Sequence, residues 1–130
     1  MSKKLILTIN VRTYAAEVLE SHSTKVVMIP FDGEAISEYF AGKTVCQGFD
    51  TQITKDGIFS LSARYMLEGT DRNGKRCRLF IENNGTSMDN CKPTIYTDSK
   101  ALSFLESAEL SSVAEGAENG VIIRIYMEMP

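Results

Sequence analysis

The sequence GFDTQITKDGIFSLSARYMLEGTDRNGKRCRLFIENNG, residues 48–85, decides the fold of this chain. Two turn signals, Lys55-Asp56-Gly57 and Arg72-Asn73-Gly74, interrupt runs that are rich in β-branched and aromatic residues. Glycine at the end of each signal supplies the positive φ that hairpin turns require. The stretch therefore predicts three consecutive antiparallel strands joined by two tight turns.

The register of this meander follows from the length of its turns. If each turn is a three-residue loop that ends in glycine, Asp50 faces Ser62 in the first hairpin. In the second hairpin Arg64 then faces Glu82, which pairs opposite charges across the strands. A two-residue loop would mix polar and apolar faces in the second hairpin, so we predict three-residue loops in both.

Side chains alternate along a strand, so this register sorts the meander into two surfaces. The apolar surface carries Phe49, Thr51, Ile53, Phe59, Leu61, Ala63, Tyr65, Leu67, Cys77, Leu79 and Ile81. The polar surface carries Asp50, Gln52, Ser60, Ser62, Arg64, Glu68, Arg78 and Glu82, with Ile58, Met66 and Phe80 as apolar members. The first surface is the predicted core face, and polar chemistry is expected on the second.

The composition is that of an ordinary globular protein. The chain has 130 residues, of which 43% are hydrophobic and 24% are charged, so we expect one domain over residues 1–130. A formal net charge of −3 provides no basic surface for nucleic acid. The start, MSKKLILTINV, does not have the pattern of a signal peptide, and no apolar run approaches the roughly 20 residues that span a bilayer.

Cysteine and histidine usage argues against metal and disulfide chemistry. The three cysteines, Cys46, Cys77 and Cys91, are odd in number and have no CxxC spacing, and His22 is the only histidine. We therefore expect no metal site and no cofactor. A soluble protein of a reducing cytoplasm, with no nucleic-acid or membrane partner, is the predicted class.

Outside the meander, further short strands are separated by turn signals. The segment 13–21 is compatible with a short helix or with a strand, and its conformation stays open. Thr97-Asp98-Ser99 resembles a helix cap and predicts one short helix near residues 99–106. We count about eight strands and predict an all-β fold, an antiparallel up-and-down β-barrel, because closure removes exposed edges. Such a barrel is just wide enough to hold side chains or one small ligand.

Several sequence pieces resemble a bacterial family. They are Phe40-x-Gly42-Lys43, Gly48-Phe49-Asp50-Thr51-Gln52, Ala63-Arg64-Tyr65, Ile81-Glu82-Asn83-Asn84-Gly85 and Thr97-Asp98-Ser99. With them the chain after about Val26 resembles the uncharacterised protein family numbered 0311, whose domain is domain of unknown function 3237. One departure is Cys46-Gln47-Gly48, where the family usually has a proline and two glycines. The resemblance implies an antiparallel β-barrel and no particular activity.

The polar surface of the meander supplies the candidate site. Asp50 and Glu82 are the candidate acid–base residues, and Arg64, flanked by these carboxylates, would hold an anionic or carbonyl-bearing ligand. Tyr39, Gln52 and Asn84 are the other predicted ligand-binding residues. The alternative is that Arg64 and Glu82 form an ordinary ion pair on a solvated outer face, which contributes less than about 1 kcal/mol. The resemblance favours the pocket, because its motif includes the positions of Asp50 and Arg64.

Two functions are compatible with these features. The first is a small-molecule-binding barrel that acts as a cofactor-independent isomerase, cyclase or lyase through acid–base side chains. The second is a non-catalytic oligomeric binding or scaffold domain. If the polar surface lines the interior, the apolar surface requires cover, and a homo-oligomer is then expected.

Overall fold

The computed structural model describes residues 2–130, which form ten antiparallel strands and one 3₁₀ helix. The strands are β1 (Ser2–Thr13), β2 (Glu17–Glu20), β3 (Thr24–Ile36), β4 (Phe40–Thr44), β5 (Gly48–Lys55), β6 (Ile58–Asp71), β7 (Arg76–Ser87), β8 (Asn90–Thr97), β9 (Leu110–Ala117) and β10 (Gly120–Met129). The 3₁₀ helix, Ser103–Glu106, lies between β8 and β9. The predicted all-β class is confirmed, with ten strands rather than eight.

These strands fill eight positions around a closed ring. β1 and β2 both pair with β3, one with its second half and the other with its first half. β4 and β5 lie between β3 and β6 in the same way. β4 pairs with the last residues of both strands, and β5 pairs with their first parts. Each of these pairs is one long strand with an interruption, and β10 closes the ring by pairing with β1. Successive positions are therefore neighbours, as in an up-and-down barrel.

The segment 13–21, whose conformation the sequence left open, belongs to one of these interrupted strands. It contains the end of β1, a three-residue break and β2. Tyr14 N–H donates to the Pro30 carbonyl at 2.9 Å, which keeps the break attached to β3.

The barrel wall is weakest between β8 and β9, which share one registered pair, Cys91 with Ser112. The connection between these strands covers the gap and buries Leu102 and Leu105 completely or almost completely, at 0% and 1% exposure. The helix predicted near residues 99–106 is a single 3₁₀ turn, Ser103–Glu106, and Ser99 Oγ accepts the Leu102 N–H at 3.2 Å just before it. We call this connection between β8 and β9, residues 98–109, the plug.

The register predicted for the second hairpin is confirmed, and that of the first is wrong by one residue. Arg64 pairs with Glu82 as expected. Asp50, however, pairs with Ala63 and not with Ser62, because Asp56 and Gly57 form a two-residue turn with φ of 50° and 81°. Positive φ at both central residues is typical of a type I′ turn, which matches the twist of the flanking strands.

The one-residue change reverses the two faces of β5. Phe49 and Ile53, predicted as core residues, are 42% and 37% exposed. Asp50 and Gln52, predicted on the polar surface beside Arg64, share the inner face with Leu61 and Ala63 of β6. For β6 and β7 the apolar surface lines the interior, and for β5 the polar residues do.

The interior is filled at one end of the barrel and open at the other. At the filled end the fully buried side chains include Phe40, Leu67, Leu79, Ile95 and Ile125. A bulge in β1 between Leu5 and Leu7 adds Ile6 to this core, although alternation predicts that Ile6 faces outward. Within residues 2–130, no helix is long and apolar enough to cross a membrane.

Candidate ligand-binding cavity

The open end of the barrel contains a cavity of about 300 Å³. Most of its wall is apolar and comes from β1, β3, β6 and β10, through Val11, Ile29, Phe31, Leu61, Val121 and Ile123. Thr13 and Gly120, at strand ends, and Met88, in the β7–β8 turn, also line it. Concave, mainly apolar pockets with a few polar groups are the usual form of small-molecule sites.

Asp50 and Gln52 provide the polar groups of the β5 wall. Gln52 Nε2 donates to Asp50 Oδ2 at 3.0 Å, whereas Asp50 Oδ1 is buried and meets no donor within residues 2–130. Burial raises the pKa of Asp50, and the hydrogen bond from Gln52 offsets only part of this effect. The carboxyl group is therefore held in one orientation and retains its proton to a higher pH than an exposed aspartate does.

A second polar group lines the cavity from β7, β8 and β9. Asn83 Nδ2 donates to Ser112 Oγ at 2.8 Å, and both residues are buried, at 5% and 3% exposure. Cys91, which pairs with Ser112 in register, donates from Sγ to the Ser87 carbonyl at 3.1 Å. Burial raises the pKa of the Cys91 thiol, so this group stays protonated. Asn83 Oδ1 is buried and accepts no hydrogen bond from the described residues.

Register explains why Asp50 and Asn83 lie in one row. Asp50 pairs with Ala63 of β6, and Ala63 pairs with Asn83 of β7. The two polar residues are thus two strand spacings apart, about 9.5 Å between Cα atoms. Only the methyl group of Ala63 stands between them, which leaves room for a ligand.

Three of the predicted site residues lie on the outer surface. Arg64 Nε forms an ion pair with Glu82 Oε2 at 2.8 Å, and the Arg64 side chain is 69% exposed. Asn84, also exposed, donates from Nδ2 to Glu82 Oε1 at 3.1 Å. The prediction that Asp50, Gln52, Arg64 and Glu82 share one face is wrong, because the two-residue turn rotates β5 relative to β6.

Tyr39 lies at the filled end of the barrel. It precedes Phe40, which pairs with Asp71, whereas Asp50 pairs with Ala63, so the two sites are separated by roughly 26 Å along β6. Two cations contact the buried Tyr39 ring, with Arg72 Cζ at 4.8 Å and Lys4 Nζ at 5.2 Å from its centroid. Tyr39 is therefore not part of the same site as Asp50.

The sequence interpretation missed Asn83, Ser112 and Cys91. Asn83 could have been identified from the sequence, because the correctly predicted register of the second hairpin puts this residue on the same face as Ile81. Ser112 and Cys91 carry no local signal, since their role depends on how β8 and β9 meet. Within residues 2–130, no group of three or more His, Cys, Asp or Glu side chains is placed to hold a metal ion.

Fold and cavity together define the chain as an antiparallel β-barrel with a ligand-sized interior. Solved structures agree with this class. A protein with unknown function from Clostridium acetobutylicum ATCC 824 is similar with a TM-score of 0.83 and 22% identity, covering 99% of this chain and 100% of that one. A β-barrel-like protein from Acinetobacter baumannii AYE has a TM-score of 0.72 and 19% identity, covering 98% and 96%.

A third similar structure is an enzyme from Penicillium herquei, with a TM-score of 0.78 and 11% identity, covering 97% of this chain and 92% of that one. At these identities the likeness establishes the fold alone. No family model and no curated protein matches the sequence. The resemblance to the family numbered 0311 therefore stays a prediction.

Proposed function

We propose that the chain is a small-molecule-binding β-barrel in which Asp50 serves as an acid–base residue. The reaction would be a cofactor-independent isomerisation, cyclisation or elimination. The observation that carries this proposal is the Asp50 carboxyl group in the apolar cavity, with Oδ2 held by Gln52 and Oδ1 buried without a donor among the described residues. Buried carboxyl groups with a shifted pKa are typical of acid–base sites.

The chemistry follows from the state of this carboxyl group. Because burial raises the pKa of Asp50, its neutral form donates a proton at a higher pH than that of an exposed aspartate, and its charged form is a stronger base. A ligand in the cavity that supplied a donor would satisfy Oδ1. Gln52 would hold the carboxyl group while the proton moves.

The fold is compatible with catalysis, since one structural neighbour is an enzyme. The second candidate, a non-catalytic oligomeric binding or scaffold domain, is favoured by the exposed position of the Arg64–Glu82 ion pair, which would serve only to set strand register. The homo-oligomer and the cytoplasmic location remain proposals. Light scattering in solution tests the homo-oligomer. The need to cover an outward apolar surface supports it less strongly, because most of the apolar surface faces inward.

The test compares Asp50→Asn with Arg64→Ala. A thermal-shift screen of small uncharged molecules provides a ligand, and mass spectrometry follows its conversion. We expect Asp50→Asn to reduce turnover by at least about 100-fold while its affinity for the ligand changes by less than about tenfold. Arg64→Ala should retain both, because its side chain is outside the cavity.

Three other outcomes would contradict the proposal. Unchanged turnover in Asp50→Asn removes the acid–base role. Loss of the ligand in Arg64→Ala with retention in Asp50→Asn moves the site to the outer surface. Binding without conversion in every assay supports the non-catalytic candidate.

A further inference from the structure

The cavity contains two buried oxygens that meet no donor within residues 2–130, Asp50 Oδ1 and Asn83 Oδ1. We call them the open acceptors. A third buried polar atom without a described partner, the Tyr65 hydroxyl, belongs to a side chain that packs edge-on against Phe31 and is not part of the cavity lining. Leaving a buried acceptor without a donor is unfavourable, so a ligand that supplies donors gains affinity.

The orientation of Asn83 follows from the direction of its hydrogen-bond chain. Cys91 donates its thiol proton to the Ser87 carbonyl, so it does not occupy Asn83 Oδ1. Ser112 Oγ then accepts from Asn83 Nδ2. Because Ser112 occupies the amide nitrogen, the carbonyl oxygen of Asn83 is the atom left to accept a hydrogen bond from a ligand.

The charges around the cavity disfavour anionic ligands. Its described lining includes no lysine, arginine or histidine, and Asp50 is its only carboxylate. An anion would meet the open acceptors with no cation to pair with it. An ammonium ion would pair with the Asp50 carboxylate alone, and the apolar wall would leave its desolvation incompletely compensated.

The size of the cavity limits the ligand as well. About 300 Å³ is the volume of about ten water molecules in the liquid. A rigid bicyclic skeleton has a suitable size, and one donor at each end would reach the two acceptors across Ala63.

Resting on the proposed function, we propose that the cavity selects an uncharged, mainly apolar molecule with two hydrogen-bond donors, one for Asp50 Oδ1 and one for Asn83 Oδ1. Walls of Ile29, Phe31 and Leu61 bury its skeleton, and the open acceptors set its orientation. The donors, not the skeleton alone, then determine which molecules bind.

Five naphthalene probes test this selection by fluorescence titration and calorimetry. They are naphthalene-2,7-diol, 2-naphthol with one donor, 2,7-dimethoxynaphthalene with none, 2-naphthoate as the anion and 2-naphthylmethylamine as the cation. We expect the diol to bind about tenfold more tightly than 2-naphthol and about 100-fold more tightly than the dimethoxy compound. The two ions should bind more weakly than the diol.

Matched variants assign the effect to the cavity. Asn83→Ala should remove the preference for the diol over 2-naphthol, whereas Asn84→Ala, one residue away on the outer surface, should leave it unchanged. Ala63→Leu keeps both open acceptors but fills the space between them. It should therefore lower the affinity for all of the uncharged probes. Circular dichroism and the melting temperature verify that each variant is folded. If Asn83→Ala does not fold, Asn83→Ser takes its place in the same comparison.

Several results would overturn the inference and can be separated from failure of the proposed function. Equal affinity for the diol and the dimethoxy compound, or tightest binding of either ion, contradicts donor selection while leaving a binding barrel intact. Binding that Ala63→Leu does not change would show that the probes bind elsewhere. Absence of diol binding up to its solubility rejects the ligand class, and Asp50→Asn turnover remains a separate test of catalysis.

Discussion

Asp50 shows how much depends on a single residue position. In a three-residue turn it would face solvent beside Arg64, and in the two-residue turn it faces the cavity beside Gln52. Oδ1 of the Asp50 carboxyl group is buried and has no donor among the described residues, which destabilises the folded state. Such local costs are common where a protein keeps a group for function.

The first prediction concerns this cost. Burial raises the folded pKa of Asp50 above the unfolded value of about 3.9, so the folded state loses stability relative to the unfolded state as the pH rises from the unfolded pKa to the folded pKa. Asp50→Asn should therefore raise the melting temperature at pH 7 by about 4 °C, or about 1 kcal/mol. The gain should shrink toward zero as the pH falls to about 4.

Calorimetric melting at a series of pH values measures this. Glu118→Gln, which removes an exposed carboxylate in the β9–β10 turn, is the control and should leave the melting temperature unchanged. A gain for Asp50→Asn that is independent of pH would contradict the explanation.

At the level of the element, the turns determine which faces the strands present. Gly57 and Gly74 have φ of 81° and 77°, conformations that side chains with a Cβ rarely adopt. The second hairpin was predicted correctly because its loop has the expected three residues. The first was not, because an Asp-Gly pair also fits a two-residue turn and the flanking residues of β5 do not distinguish the two.

Gly57→Ala should destabilise the protein by about 1 kcal/mol, because alanine is strained at positive φ. Gly116→Ala is the matched control, since a Cβ at Gly116 meets no described atom within 4 Å and its φ is ordinary. Urea unfolding measures both variants. Equal effects at the two positions would mean that the turn conformation is not the cause.

At the level of the whole molecule, the filled end is tied together by Asp71. Its Oδ2 accepts from Ser99 Oγ at 2.8 Å, and its Oδ1 accepts from the Asn73 and Lys75 N–H groups at 2.9 and 3.1 Å. These bonds join the β6–β7 turn to the plug between β8 and β9. The Ser99 hydroxyl, followed by the backbone N–H groups, lowers the pKa of Asp71.

A lowered pKa means that Asp71 stabilises the fold above its unfolded pKa of about 3.9 and that this contribution disappears as the pH falls below that value. Asp71→Asn should lower the melting temperature by several degrees at pH 7 and by less at pH 3. Melting curves at both values test this. A deficit of the same size at pH 3 would show that the hydrogen bonds do not depend on the charge.

The sequence by itself determined the barrel class, most strand positions and the register of the second hairpin, because alternation and turn chemistry act over a few residues. Only the tertiary structure decided which residues line the cavity. The inward position of Asp50 depends on one residue of turn length, which reverses every side chain of β5. The approach of Ser112 to Asn83 depends on ring closure, since these residues are brought together by the meeting of β8 and β9 rather than by any local preference.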